Sequence, residues 1–152
     1  MTPRSTRALG VESVRLDPEP LAIEPQQLAA LAARIALSKK GVDVRVYDVN
    51  EHIKIASYFV VATGLSRPHV KAIYSEIHQR LKDLGERHAR AEGIDLGWWV
   101  LLDFSDVVVH ILQPEARKYY DLDGLYGECP LLDFGGVPLP VTVERSEARA
   151  AE

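Results

Sequence analysis

The groups in this chain able to do chemistry are one thiol, five imidazoles and a scatter of carboxylates, and their spacing decides what they can be asked to do. Cys129, His110 and Asp103 together have the makings of a thiol nucleophile, its base and an acid. Cys129, however, stands between Glu128 and Pro130, outside the strongly patterned segments, and reads as a chance thiol. Thr63-Gly64-Leu65-Ser66 is a strand-to-helix turn whose backbone donors suit a phosphate. It lacks the glycine-rich phosphate loop of either familiar pattern, so an ordinary turn with Ser66 as helix cap is the better reading. His52, His69, His78, His88 and His110 are dispersed, with no H-E-x-x-H motif and no paired cysteines, so neither a metal nor another cofactor is expected. Asp103 and Asp106 fall on opposite sides of a turn. They do not form the alternate-residue acidic pair that holds a metal against nucleotide phosphates. A nucleotidyltransferase-like enzyme is therefore the alternative reading, and a protein that acts by binding is the leading one.

Composition narrows what such a protein binds. With 152 residues, 47% hydrophobic and 26% charged, the chain suits one globular domain. A net charge of −4 has the wrong sign for neutralising phosphates, so little direct nucleic-acid binding is expected and a protein partner is favoured. The single cysteine excludes an internal disulfide. The longest apolar runs are strand-sized, so no membrane span is expected. Residues 1–20 carry Arg4, Arg7 and Arg15 without an apolar core, which excludes a secretory signal. Glu12, Asp17 and Glu19 dilute the basic bias of a transit peptide, and a bacterial-type cytoplasmic location is expected.

The elements that must position these groups follow from periodicity. Residues 1–24 hold prolines among scattered charges and read as a flexible arm. From Pro25, the spacing of Leu28, Leu31, Ala32 and Ile35 predicts a helix ending near Lys39 and Lys40, with Gly41 as its stop. Val42 to Val49 alternates as a half-buried strand, and Tyr58 to Ala62 is apolar on both faces. Ser66 and Pro68 open a second helix through Val70, Ile73, Tyr74, Ile77, Leu81 and Leu84, stopping at Gly85. Residues 86–93 can supply a short strand, and Trp98 to Phe104 with Val107 to Leu112 form a hairpin. Pro114 opens a short last helix, and residues 131–152, with Gly135, Gly136, Pro138 and Pro140, read as a flexible tail. The domain is thus expected over residues 25–130. Its fold class is α/β in the α+β sense, a mixed β-sheet with helices packed on it.

With Ser105 and Asp106 as the hairpin loop, Phe104 pairs with Val107, Asp103 with Val108, Leu101 with His110 and Trp99 with Leu112. Trp98, Val100, Leu102, Phe104, Val107, Val109 and Ile111 then belong to the core, while Trp99, Leu101, Asp103, Val108, His110 and Leu112 share a mixed face. Two readings of that face stand side by side. It has the anchor-plus-polar composition of a protein interface. Alternatively, the last helix covers Trp99 and leaves Asp103 and His110 as a peripheral ion pair.

Several separated segments carry a resemblance. Ala56-Ser57-Tyr58-Phe59-Val60-Val61-Ala62-Thr63-Gly64, Glu92-Gly93, Trp99-Val100-Leu101-Leu102-Asp103-Phe104, Asp106-Val107-Val108-Val109-His110 and Arg117-Lys118-Tyr119-Tyr120-Asp121-Leu122 resemble the ribosomal silencing factor family, also called Iojap-like. The likeness runs from about Leu28 to Pro130. Departures from the family pattern are Ser57, Thr63, Ser105 and Tyr126, the third standing where a turn glycine is common. The resemblance implies a nucleotidyltransferase-like topology without that enzymatic activity. It further implies binding to a protein on the subunit-joining face of the large ribosomal subunit, the fourteenth in its nomenclature. The small subunit then cannot join, and translation is repressed when nutrients are short. On this reading Trp99 and Leu101 supply buried area, Asp103 and His110 lie on the same face, and Arg117 and Tyr120 extend the contact; the alternative is that Arg117 pairs with an intramolecular acid and that one of Tyr119 and Tyr120 is a packing residue. A homodimer through the same face is equally compatible with the pattern.

Overall fold

The structure is a computed structural model that describes residues 23–86, 89–141 and 143–145. The expected arm lies outside the described residues up to position 22, and so does His88.

Helix α1 (Pro25–Ser38) is entered through Glu24, whose N–H donates to Gln27 Oε1 at 3.0 Å, with Pro25 in the first turn where its missing N–H costs nothing. Its alanines bring it so close to its neighbours that Ala29, Ala30, Ala32, Ala33 and Ala36 are all buried beside Leu31 and Ile35, so more than one face is covered. Lys40, not Gly41, takes the left-handed conformation after the helix, and the Gly41 N–H closes the end on the Ala36 carbonyl at 2.8 Å.

Strand β1 (Val42–Asp48) leads antiparallel into β2 (Tyr58–Thr63), and α2 (Arg67–Asp83) starts at Ser66, whose hydroxyl accepts the His69 N–H at 3.2 Å. β3 (Arg90–Glu92) is a short edge strand, and β4 (Trp99–Asp103) and β5 (Val107–Leu112) are the expected hairpin. The sheet order is β1-β2-β5-β4-β3, with β2 and β5 parallel and every other pair antiparallel. The mixed α+β architecture is as expected.

The hairpin register is also as expected: Trp99 faces Leu112, Leu101 faces His110 and Asp103 faces Val108. Ser105 supplies the positive φ of 78° that the turn requires, and its N–H donates to Asp103 Oδ1 at 2.7 Å, a local bond that offsets part of the strain.

Helices α1 and α2 cover one sheet face, burying Val46, Val60, Ala62, Val100, Leu102, Val107, Val109 and Ile111. Helices α3 (Pro114–Tyr120) and α4 (Leu122–Leu125) lie on the other face, burying Tyr47, Val61, Leu112 and Ala116, with Cys129 from the following loop in the same small cluster.

Two expectations are corrected. Trp98 is not a core residue: it is 37% exposed at the end of β4, one position past the last ladder pair, although its carbonyl still accepts the Gln113 N–H at 3.0 Å. The expected tail is part of the fold as far as it is described. Pro130 and Leu132 hydrogen-bond along β1, closing its edge through Asp48 N–H and Val46 C=O. Leu139 and Val143 are buried in the main core beside a short 3-10 turn (Phe134–Gly136). Arg34 of α1 donates to the carbonyls of Phe134, Gly135 and Val137, so this glycine- and proline-rich segment is tied down by backbone acceptors without a period of its own.

Candidate docking face

The second sheet face is covered only in part. At the end nearest α3, Leu112, Val61 and Ala116 are buried and Trp99, paired with Leu112, is half-buried; toward the hairpin turn, Leu101, Asp103 and Val108 remain half-buried. The strand pairing explains which side chains meet there. Phe59 lies beside Val108 and Val61 beside His110 on the parallel β2–β5 ladder, and β4 continues the rows with Asp103 and Leu101. Between them lies a cavity of 570 Å³ walled by Ile55, Phe59, Leu101, Val108 and His110, with Arg90 and Asp103 also lining it. Ile55, at the rim of this cavity, is 85% exposed.

Trp99 and Tyr120 meet at the other border, ring centroids 4.6 Å apart, and Tyr119 packs edge-on against Tyr120 at 5.0 Å. Both tyrosines are exposed, Tyr119 the more so, so neither points into the core. Trp99 is therefore covered in part by the last helix and still open in part, a combination of the two readings of this face.

His110 is buried. Its Nδ1 accepts the Trp99 Nε1–H at 3.1 Å, its ring packs edge-on to Phe59 at 4.8 Å, and its Nε2 has no hydrogen-bond partner. Burial lowers its pKa to about 4, so the imidazole is neutral at neutral pH and makes no ion pair with Asp103. Asp103 is engaged by the turn N–H of Ser105 and by Arg90 at 3.4 Å.

Arg117 takes the internal one of its two expected roles. It is buried, and its guanidinium binds Asp123 through Nε at 2.8 Å and Nη2 at 3.0 Å, while Nη1 donates to the Asp43 carbonyl at 2.7 Å and Thr63 Oγ1 at 2.9 Å. A side chain committed to so many internal acceptors braces the fold and is not available to a partner. Tyr47 joins the cluster by donating its hydroxyl to Asp123 at 2.6 Å, and the Arg117 and Tyr47 bonds hold the Asp123 carboxyl below its usual range against the opposing effect of burial.

The other reactive-looking groups are likewise engaged. In the turn after β2, the Gly64 N–H donates to Leu112 C=O and the Leu65 N–H to His69 Nδ1, so these donors do not face a phosphate. His69 Nε2 reaches the Lys39 carbonyl at 2.9 Å, linking the end of α1 to the start of α2. His78 stacks on Tyr74, and His52 packs edge-on to Tyr126. Cys129 is buried, and burial pushes its thiol up, away from the thiolate a nucleophile needs. Among the described residues no cluster of His, Cys, Asp and Glu is arranged to hold a metal ion, and no helix is long and apolar enough to cross a membrane.

The face thus brings together Trp99, Leu101, Asp103, His110 and Tyr120 of the expected set and excludes Arg117. It adds Ile55, Phe59 and Tyr119, which sequence reasoning did not assign to it. Phe59 was hidden because its strand is apolar on both sides, so alternation does not say which side is open.

The comparisons with known proteins agree with this architecture. The family profile described as "Ribosomal silencing factor during starvation" matches residues 22–152, well beyond the expected end at Pro130. The chain is 36% identical over 112 residues to the ribosomal silencing factor RsfS of Bacillus subtilis, covering 72% of this chain and 95% of that protein. It is 35% identical over 114 residues to the chloroplastic protein Iojap of Arabidopsis thaliana, covering 73% of this chain and 46% of that one. A crystal structure of a Chromobacterium violaceum protein superposes with a TM-score of 0.67 at 36% identity, covering 69% of this chain and 88% of that one. One from Bacillus halodurans gives 0.63 at 30% identity, covering 71% and 98%. With the profile spanning the sheet, its helices and the segment that seals β1, the chain belongs to the ribosomal silencing factor family.

Proposed function

We propose that this chain represses translation without turnover. It docks on a protein of the subunit-joining face of the large ribosomal subunit, the fourteenth in that nomenclature, so that the small subunit cannot join. Family membership supports the ribosome as target. The observation that carries the choice of surface is the half-covered sheet face. There Trp99, in tilted contact with Tyr120, and a neighbouring 570 Å³ cavity walled by Leu101, Val108, Phe59 and Ile55 and also lined by Asp103 leave apolar area open. An aromatic anchor in a partly desolvated surround is what an interface hot spot requires, and the acid suits a basic partner surface. The net charge of −4 favours protein over RNA as the direct contact, and the site of action is the cytoplasm, where ribosomes assemble. A second copy of the chain competes for the same face, so a dimer through it would have to open before docking.

Cosedimentation tests the reading. The chain should travel with isolated large subunits, be absent from joined ribosomes, and lower the yield of joined ribosomes when mixed with separate subunits. A folded Trp99→Ala chain that binds as well as the wild type would move the interface to another surface.

A further inference from the structure

His110 poses a question of its own. An indole N–H only donates, so the bond from Trp99 Nε1 makes Nδ1 of His110 the lone-pair nitrogen and leaves the proton of the neutral ring on Nε2. That Nε2–H is buried without a hydrogen-bond partner, in surroundings made by Phe59, Trp99, the neighbouring Val61 and the facing Leu101. A phenylalanine or leucine would suit those neighbours and carry no orphaned donor. The one thing the imidazole does there that an apolar ring cannot is accept the Trp99 N–H.

That bond has a geometric consequence. Trp99 is held from below by His110 and from the side by Tyr120, so its indole plane is set before any partner arrives. Without the acceptor, the indole N–H would be a half-buried donor satisfied only by turning toward solvent. We infer that His110 is a positioning residue for docking: it acts through Trp99, by fixing that side chain in its binding orientation. The inference rests on the docking reading above. It assigns part of the affinity to pre-organisation, since an anchor already ordered loses less freedom on binding.

The test uses the full chain at neutral pH and two readouts. The first is the indole N–H resonance of Trp99, told apart from that of Trp98 with Trp98→Phe. In the wild type it should exchange slowly with solvent. In His110→Phe it should exchange fast, and in His110→Asn, whose amide oxygen can accept near the Nδ1 position, it should be partly protected again.

The second readout is large-subunit binding. His110→Phe should weaken it by about 3- to 10-fold, the worth of one hydrogen bond. In a Trp99→Phe background, which removes the donor and keeps a ring against Tyr120, His110→Phe should weaken it no further. If His110→Phe does not fold, His110→Leu, which also lacks the acceptor, gives the same cycle in both backgrounds. An unchanged Trp99 resonance in folded His110→Phe overturns the inference. A loss of binding that persists in the Trp99→Phe background overturns it too, because His110 would then act without the indole N–H. Failure of the wild type itself to bind would overturn the docking reading and this inference together, and is distinguishable because it requires no substitution.

Discussion

Arg117 and Asp123 form a two-point ion pair, Nε to Oδ2 at 2.8 Å and Nη2 to Oδ1 at 3.0 Å, across the left-handed break at Asp121 that separates α3 from α4. The same guanidinium reaches back to the Asp43 carbonyl, where a register shift in β1 and a φ of 51° at Asp43 present backbone oxygens to it. One side chain thus ties α3 and α4 to the edge of the sheet.

Arg117→Ala should therefore destabilise the fold by about 3 kcal/mol, the cost of leaving a partly buried acid and several acceptors without their donor. Arg117→Lys should recover little of that, since an ammonium cannot make the two-point contact and reach Thr63 together. Urea unfolding of the three proteins checks both statements. A stability equal to wild type in Arg117→Ala would mean that solvent replaces these bonds.

The neighbouring tryptophans should part in the opposite sense from simple strand alternation. Trp98→Ala, at an exposed position, should cost less than about 1 kcal/mol of stability. Trp99→Ala should cost about 1 to 2 kcal/mol, a fraction of the loss for a fully buried tryptophan, and should weaken large-subunit binding by about 2 kcal/mol. Thermal melts alongside cosedimentation read out the two effects separately.

Acid should act in two stages. The pKa of His110 falls from 6.5 to about 4 in the folded chain. Between those values the unfolded chain binds the extra proton, so stability rises with pH: this contribution is complete above about 6.5 and is lost as pH falls toward about 4, by about 3 kcal/mol in all. Asp123 is shifted down, so its contribution is present above the ordinary carboxylate pKa and is lost only as pH falls further, through its lower folded value. Unfolding midpoints measured across pH should show both stages, and His110→Phe should flatten the first alone.

Removing residues 131–152 should abolish cooperative melting. Val137, Leu139 and Val143 are buried, and at about 1.5 to 3 kcal/mol for each fully buried side chain their loss approaches the whole stability of a small domain. Circular dichroism during heating of a chain that ends at Pro130 is sufficient; a sharp transition near the wild-type temperature would show the segment to be dispensable.

How much of this was legible in the sequence depended on the range of the interaction. The hairpin register could be read because alternation has a period of two and a two-residue loop leaves one pairing, so Leu101 opposite His110 followed from local pattern. The helices of the covered face could be read from the spacing of Val70, Ile73, Ile77 and Leu81. The segment after Pro130 has neither period, and its place is decided by Arg34, about a hundred residues away, donating to its carbonyls. For Arg117 the pattern left two readings, extending the contact or pairing with an internal acid, and the choice fell to Asp123 and to a distorted strand that supplied further acceptors. Sequence by itself determined the α+β class and the register and faces of the motif-bearing hairpin from Trp99 onward, because these depend on neighbours within a few positions. Only the tertiary structure decided that Trp99 is half-open, that His110 holds it and that Arg117 is spent internally, because burial and hydrogen-bond partners are set by which distant backbone happens to pack against each side chain.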